Sequence, residues 1–546
     1  MTDPSGAPRS SSASRRIAGS SLSGAGWTTV SRLTGFGRAV TIAAVLGPSY
    51  FGNIFQATNL LPNLTYELLT GALFSSLLVP SLVKHIDAED GRGAARVAGG
   101  FLGVALVAFS VVTVLVVAAG PFLLRVLSLG VEDAAVAEAQ RRVGSVLIVL
   151  LMPQVLLYGV AATGAAVMNA HGRFALAAAA PAFENVGVIA TMAVLVALFG
   201  TAPSLADVAD PYLLVLGLGT TAAVGLHAGI QVWGARRCGV SLLPRAGWRD
   251  SEVRDVLRHA VPSLGYAGLN SVRVFVVLVV ANRVPGGVVA FQLALNFFYL
   301  PVAVWARPVA LAMLPQLSRL RAVPRRFHDE LVRGISLATL LVVPAAMAYA
   351  VLAVPLARAA SFGQMSTPAG VALVAASLAA LAPGVLGEAG FVLATQASYA
   401  RDDARAPFRS MVIRTAIALS GAVIAFLFAR GLVLLVALGA AISVSNLVSA
   451  WHLGHPLLED GADDSQRLRP ALVRASVGSI LMVIPAYVVA TQLAGGSGGW
   501  RESLALVAAG LTGGSVFMLI QRLLRSPELD SLLHGRLSRT SAGGPS

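Results

Sequence analysis

The sequence predicts an all-α polytopic membrane protein with fourteen transmembrane helices, and three observations lead to this fold class. First, 56% of the 546 residues are hydrophobic and only 12% are charged, with a mean hydropathy of +0.76. A water-soluble domain cannot bury so much apolar surface. Second, apolar runs of about 20 residues, long enough to cross a bilayer, recur along almost the whole chain. Third, the basic residues concentrate between alternate runs.

The fourteen predicted helices follow these apolar runs in order. The spans are 25–47, 56–84, 96–119, 144–168, 177–199, 212–235, 258–282, 288–315, 331–356, 368–396, 408–429, 432–454, 471–493 and 503–524. The longest outer connection, about 120–143, is too short for an enzyme domain. A soluble enzyme is therefore excluded.

The single cysteine, Cys238, excludes an intrachain disulfide, and no Cys/His cluster has the spacing of metal ligands.

The basic residues predict the orientation of the helices. With a cytoplasmic N-terminus, 29 of the 40 basic residues fall in inner segments and seven in outer segments. The remaining four lie deepest inside predicted spans: Arg32, Arg38, Arg273 and Arg307. Because retained positive charge fixes orientation during insertion, both termini are predicted to be cytoplasmic. The net charge of +14 is thus a topology signal, and no nucleic-acid partner is expected.

Helices 1–2 and 7–8 look like distant copies, which predicts two lobes of six helices. Each pair carries a Leu-Pro step followed by a second proline motif, at Leu61-Pro62 and Val79-Pro80-Ser81-Leu82, and again at Leu300-Pro301 and Leu314-Pro315-Gln316-Leu317. An even-numbered repeat keeps its orientation in the membrane. The predicted organisation is a disordered N-terminus at 1–24, lobes at 25–240 and 241–456, two added helices within 457–526, and a cytoplasmic tail at 527–546.

Polar residues form stripes on helices 1, 2, 7 and 8. The stripes comprise Ser31, Thr34 and Arg38; Asn59, Asn63, Glu67 and Thr70; Ser263, Tyr266, Asn270 and Arg273; and Gln292, Asn296, Tyr299 and Arg307. Charged groups inside a membrane are costly, so they normally face a cavity or a partner. The four arginines inside the spans, Arg32 included, outnumber Glu67 and favour an anionic ligand, because guanidinium groups match phosphate oxygens.

A structural interpretation of the same charges stays open. Arg38 and Glu67 could form an interhelical lock, while Arg32 extends toward the inner surface. Glu184 and Glu388 are expected to lie away from this cluster, in local helix–helix hydrogen bonds or at a coupling cation or proton. No phosphate-binding GxxxxGK[ST] motif is present, which disfavours an ATP-hydrolysing pump.

Several motifs resemble the MurJ/MviN lipid II flippases of the MOP exporter superfamily. The matching segments are Ser31 to Arg38, Leu61-Pro62-Asn63, Gly71-Ala72-Leu73-Phe74, Val79-Pro80, Met168-Asn169, Arg173-Phe174, Pro181, Asn185, Leu314 to Ser318, Tyr399-Ala400, Asp403 and Pro407. The resemblance implies a MATE-like V of two lobes and a central cationic cavity. It also implies outward movement of undecaprenyl-pyrophosphate-linked peptidoglycan precursor by alternating access.

The sequence departs from the family pattern at three charged positions. Asn53 replaces an acidic residue, and Tyr66 and Asn296 replace basic residues. Arg32 and Arg38 match the family positions, whereas Arg273 and Arg307 do not and are expected to supply the lost charge. The predicted substrate contacts are Arg32, Arg38, Asn53, Asn63, Tyr66, Glu67, Asn270, Arg273, Asn296 and Arg307. The resemblance implies no bound cofactor, and it implies that Na⁺ or the membrane potential drives transport. Asp403 is the one acid on a matched motif and is therefore the candidate Na⁺ ligand.

Three other functions remain open at this point. The chain could flip another polyprenyl-linked saccharide, export small molecules in exchange for a cation, or act as a non-transporting scaffold for wall synthesis. The predicted excess of positive charge disfavours the cation-coupled exporter. We expect a monomer in the bacterial cytoplasmic membrane, with a lipid-linked glycan as substrate and cell-wall synthesis proteins as candidate partners.

Overall fold

All the regular secondary structure in the described part of the chain is helical, as predicted. The structure is a computed structural model that describes residues 10–70, 78–459, 464–494 and 500–533. In these residues no strand occurs. The helices are α1 Ser10–Leu46, α2 Tyr50–Thr70, α3 Val79–Asp87, α4 Gly91–Leu127, α5 Ala134–Leu151, α6 Gln154–Ala170, α7 Phe174–Phe199, α8 Asp210–Arg237, α9 Ser251–Ala281, α10 Gly287–Pro301, α11 Arg307–Leu320, α12 Pro324–Val351, α13 Ala353–Ala360, α14 Pro368–Ala400, α15 Arg405–Phe428, α16 Gly431–Glu459, α17 Asp464–Leu493, α18 Trp500–Leu523 and α19 Pro527–Leu533.

Eleven segments of the described residues are long and apolar enough to span a membrane, so the predicted number of fourteen is not confirmed. The other three predicted spans correspond to α1, to α2 with α3, and to α9. These are three of the four predicted spans that carry the polar stripes; the apolar part of α9 that the structure describes, Gly265–Ala281, is shorter than a full span. Part of the second span, residues 71–77 with the Gly71-Ala72-Leu73-Phe74 motif, lies outside the described residues.

Two predicted boundaries differ from the structure. α4 continues to Leu127 and α5 begins at Ala134, so the long outer connection predicted at 120–143 shrinks to residues 128–133. The apolar character of α4 persists through Pro121, which the helix accommodates. At the other end, α1 begins at Ser10, within the segment predicted to be disordered; residues 1–9 lie outside the described residues.

The chain divides into two compact units. Unit 1 contains the residues up to Val45 together with Ile54–Val272, and unit 2 contains Leu46–Asn53 and the residues from Arg273 onward. The division lies inside α9. The lobe boundaries predicted at 240 and 456 stay a prediction.

Small residues allow close helix packing within each unit. In unit 1, a Cβ at Gly164 of α6 would overlap the backbone of Gln231 on α8. In unit 2, the Ser443 hydroxyl of α16 donates to the carbonyl of Ala380 on α14 (2.7 Å) and accepts from the N–H of Gly384 (3.1 Å). Helix backbones that approach this closely gain van der Waals contact and interhelical hydrogen bonds.

The last helices pack onto unit 2 through an apolar cluster. Leu340 of α12 is buried with Met482 and Val483 of α17 and Phe517 of α18. The two helices added after the predicted repeat thus join unit 2 through α12.

A π-helical turn, Val302–Ala306, joins α10 to α11. Pro301 precedes this turn and Pro308 follows it, and each proline removes one backbone donor from the helical ladder. The turn places Arg307 at the start of α11, where its side chain is exposed.

Candidate functional site

The central feature of unit 1 is an ion pair between Arg38 on α1 and Glu184 on α7. The Arg38 Nη1 lies 3.2 Å from the Glu184 Oε1. The Arg38 side chain is 31% exposed, whereas that of Glu184 is 9% exposed. No other acceptor in the described residues takes a hydrogen bond from the Arg38 guanidinium. The Arg38 guanidinium is therefore accessible to a ligand and only partly engaged by hydrogen bonds within the described residues, whereas the Glu184 carboxylate is enclosed.

Three further side chains surround the Glu184 carboxylate. The Tyr158 hydroxyl of α6 donates to Oε1 at 3.2 Å. Nδ1 of His227 on α8 lies 2.8 Å from Oε2. Behind the imidazole, the amide nitrogen of Gln231 lies 3.4 Å from His227 Nε2 and donates to the Ala177 carbonyl at 3.1 Å. Four helices thus contribute to one intramembrane polar network.

The structural alternative that pairs Arg38 with Glu67 is wrong. The partner of Arg38 is Glu184, not Glu67, so Glu184 belongs to the cluster from which it was expected to be remote. Glu67 instead accepts a hydrogen bond from Asn270 of α9 at 3.3 Å. Glu184 therefore places a negative charge directly beside Arg38.

Two members of the predicted helix 1 stripe serve helix packing. The Asn185 amide of α7 donates to the Ser31 carbonyl (3.1 Å) and to the Thr34 hydroxyl (3.2 Å). Gly35 leaves room for this amide, which lies 3.4 Å from the Cβ that another residue would carry there. These contacts hold α1 against α7 and orient Arg38 toward Glu184.

The other predicted contacts of unit 1 are spread over α1 and α2. The Tyr66 ring stacks near Tyr158 and Phe109, with centroid distances of 5.7 and 6.3 Å. Asn63 is half-buried on the same helix, and Arg32 is exposed on α1. Tyr66 therefore reaches the Glu184 network through Tyr158.

In unit 2, Arg273 lines a small cleft between α9 and α10. The cleft encloses about 410 Å³ of empty space, including its open mouth, and its polar wall consists of Arg273, Gln292 and Tyr299. The rest of its lining is mostly aliphatic. Arg273 itself is only 6% exposed.

Three predicted contacts of unit 2 do not line this cleft. Asn53 is fully buried, and its amide donates to the Val284 carbonyl (2.8 Å) and accepts from the Val288 N–H (2.9 Å). Both bonds close the turn before α10, so we assign Asn53 a structural role. Asn296 donates to the Gln292 carbonyl one turn earlier on its own helix (2.8 Å). Arg307 is exposed at the start of α11.

Glu388 and Asp403 have defined structural partners. Glu388 of α14 pairs with Arg414 of α15, and both side chains are buried. The Arg414 guanidinium also lies 5.1 Å from the centre of the Phe391 ring. The Asp403 carboxylate accepts from the N–H groups of Arg405 and Ala406 and so caps α15. Among the described residues no group of three or more His, Cys, Asp or Glu side chains could hold a metal ion, and Na⁺ binding at Asp403 stays a prediction.

Sequence reasoning missed Tyr158, His227 and Gln231 as members of the network. One signal was present: His227 lies in the middle of the apolar run 212–235, where an ionisable side chain is rare and normally has a partner. The sequence does not indicate which helix supplies that partner.

A many-helix membrane fold that carries buried ionic networks is typical of membrane transporters. The fold matches a solved structure of the lipid II flippase MurJ in an inward closed conformation, with a TM-score of 0.69, 16% identity, and coverage of 94% of this chain and 99% of that one. It also matches an inward-facing MATE-family multidrug transporter of the MOP superfamily, with a TM-score of 0.63, 16% identity, and coverage of 80% and 95%.

Sequence comparison narrows the class to one family. The family model described as "Lipid II flippase MurJ" matches residues 42–507. A probable lipid II flippase MurJ from Rhizobium tropici is 28% identical over 446 residues, which cover 80% of this chain and 81% of the relative. The lipid II flippase MurJ of Burkholderia cenocepacia is 25% identical over 401 residues, or 71% of this chain and 74% of the relative. The chain belongs to the MurJ lipid II flippase family.

Proposed function

We propose that this chain moves lipid II, the undecaprenyl-pyrophosphate-linked peptidoglycan precursor, from the inner to the outer leaflet by alternating access. Family membership supports the substrate class. The observation that carries the proposal is the state of Arg38: an intramembrane guanidinium, 31% exposed, with a single protein acceptor in the described residues. A pyrophosphate offers the oxygens that its remaining N–H groups can bind.

The Glu184 partner suits a transporter because it limits the strength of ligand binding. A bare guanidinium in a low-dielectric site would hold a pyrophosphate too tightly to release it. A carboxylate 3.2 Å away competes with the phosphate and offers the arginine an alternative partner after release. We propose Arg32 and Arg38 as head-group contacts of unit 1, and Arg273 and Arg307 as those of unit 2.

The orientation and assembly of the protein are part of the same proposal. Both termini lie on the cytoplasmic side of a bacterial inner membrane, and the protein acts as a monomer. The excess of basic residues in alternate segments, 29 against seven, supports this orientation. The membrane potential or a Na⁺ gradient supplies the energy, and cell-wall synthesis proteins are its candidate partners.

Genetic complementation tests the function. In cells depleted of their own lipid II flippase, the wild-type chain should restore growth, whereas Arg38→Ala and Arg273→Ala should not. Arg141→Ala is the matched control, because Arg141 is a surface arginine that pairs with Glu138 on its own helix. Failure of a well-expressed wild-type chain would reject lipid II as substrate and leave another polyprenyl-linked saccharide to be tested. Full rescue by Arg38→Ala would remove the head-group role of Arg38.

A further inference from the structure

The Glu184 network contains more titratable groups than an ion pair requires. Arg38 and Tyr158 contact one carboxylate oxygen, and His227 contacts the other. Within the described part of unit 1, these are the titratable side chains in contact with Glu184, and they come from α1, α6 and α8. The imidazole side chain is 13% exposed, so it is largely enclosed. A carboxylate beside a histidine is a pair that can share one proton.

The hydrogen bonds define the resting charge of this network. The Gln231 amide nitrogen donates to the Ala177 carbonyl, and its other hydrogen faces Nε2 of His227. Nε2 therefore acts as an acceptor, and Nδ1 carries the proton that His227 donates to Glu184. His227 is then neutral, and the Arg38 cation balances the Glu184 anion. The resting network has a net charge of zero.

An anionic ligand disturbs this balance. When a pyrophosphate takes Arg38 as its partner, Glu184 keeps its negative charge but loses the cation that offset it. A carboxylate with 9% of its side chain exposed cannot recover the loss by hydration. Protonation is the remaining route to neutrality, and His227 already contacts the oxygen that would share the proton.

We propose that Glu184 and His227 form a proton-binding site that fills when an anionic ligand draws Arg38 away from Glu184. The proposal rests on the proposed function for the identity of the ligand. One proton passes from solvent to the Glu184–His227 pair for each pyrophosphate bound, and it leaves when Arg38 returns. The pyrophosphate diester of a lipid-linked glycan is fully ionised near neutral pH, so the ligand itself neither supplies nor takes this proton.

Proton uptake makes ligand affinity depend on pH in a defined direction. Because the bound state holds one more proton than the free state, binding weakens as the pH rises. The Kd should increase by up to about tenfold per pH unit between the pH at which the free pair takes up a proton and the higher pH at which the bound pair loses it. In Glu184→Gln the amide is neutral in both states, so this dependence should disappear.

Calorimetric titration of the purified, detergent-solubilised full chain with lipid II tests the proposal. The titration is run at one pH in HEPES and in imidazole, two buffers with different ionisation enthalpies. For the wild type, the two observed enthalpies should differ by the amount expected for uptake of about one proton per ligand. Glu184→Gln should bind lipid II with no difference between the buffers, and His227→Gln should show a reduced difference.

Glu388→Gln is the matched control, because it removes a buried carboxylate from the Arg414 ion pair of unit 2. It should keep the buffer difference of the wild type. Equal enthalpies for the wild type in both buffers would overturn the proton site while leaving lipid II binding intact. Persistence of the difference in Glu184→Gln would overturn it as well. Absence of lipid II binding by the wild type would instead contradict the proposed function.

Discussion

Two polar residues on successive helices, Arg38 on α1 and Asn53 on α2, show how the surroundings of a side chain determine its role. Arg38 is partly exposed and holds one protein acceptor in the described residues. Asn53 is fully buried, and both ends of its amide bond to backbone. Hydropathy places Arg38 inside the first predicted span and Asn53 just before the second, but it does not show whether the hydrogen-bonding groups of either side chain are already occupied by protein partners.

Replacement of Asn53 by alanine should destabilise unit 2. The substitution leaves the Val284 carbonyl and the Val288 N–H buried without partners, at a cost of roughly 2–4 kcal/mol. Asn296→Ala is the control, since the Asn296 amide bonds to the Gln292 carbonyl of its own helix and to no other group in the described residues. The detergent-solubilised variants are compared by thermal unfolding. An Asn53→Ala midpoint no lower than that of Asn296→Ala would contradict the structural role.

At the scale of elements, the connection between α8 and α9 is held against α4 by glycines. The Arg245 N–H donates to the Gly99 carbonyl at 2.9 Å. A Cβ at Gly103 would overlap the Arg245 carbonyl oxygen, and one at Gly100 would lie 3.3 Å from Gly247. Only glycine allows the connection to approach α4 this closely.

Charged residues reinforce this attachment next to the α3–α4 turn. The ring nitrogens of His85 lie 3.2 Å from Asp90 and 2.9 Å from Glu252, and Arg96 pairs with Asp250. Asp90 also caps α4 through the Gly93 N–H, and this hydrogen bond is the main cause that lowers the pKa of its carboxyl group. The attachment therefore combines backbone contact with ion pairing.

Gly103→Ala should loosen the connection without unfolding unit 1. Overpacking costs about 1–3 kcal/mol, which corresponds to an increase of roughly 5- to 150-fold in the population of the detached form. Trypsin cleavage after Arg245 and Arg249 in inverted vesicles measures this population. Gly91→Ala, at a position with open space, should be cleaved like the wild type. Equal cleavage of both variants would show that the glycine contact does not hold the connection.

The sequence predicts the positions of the helices better than the side-chain contacts between them. Apolar runs identify a helix at each predicted span within the described residues, because length and hydropathy are local properties. The ion pair between Arg38 and Glu184 joins residues 146 positions apart, and periodicity indicates only the face on which each residue lies. For this reason the sequence offered Arg38–Glu67 only as a possible pair, and the structure contradicts it. Asn185, by contrast, is one of the residues that match the family pattern, but only the structure shows that its amide holds α7 against α1.

At the scale of the whole molecule, the distribution of basic residues predicts which loops face the cytoplasm. In a Cys238→Ser background, a cysteine at Thr201 should react with a membrane-impermeant maleimide in intact cells. One at Ser241 should react only in inverted vesicles. Both positions are exposed in the structure. The opposite pattern would contradict the predicted orientation.

Native Cys238 is a poor reporter for this experiment. Burial raises the pKa of its thiol, against the opposing effect of Arg173. Since the thiolate is the reactive form, Cys238 should react more slowly than an exposed cysteine at the same pH, and the rate should rise as the pH increases. Labelling after denaturation gives the reference rate.

The most direct test of the central claim is lipid II translocation by the purified full chain in proteoliposomes. The rate at which lipid II becomes accessible on the opposite leaflet should exceed that of protein-free vesicles for the wild type and for Arg141→Ala. It should fall to the protein-free rate for Arg38→Ala. Correctly folded wild-type protein that leaves the rate unchanged would contradict the assignment as a lipid II flippase.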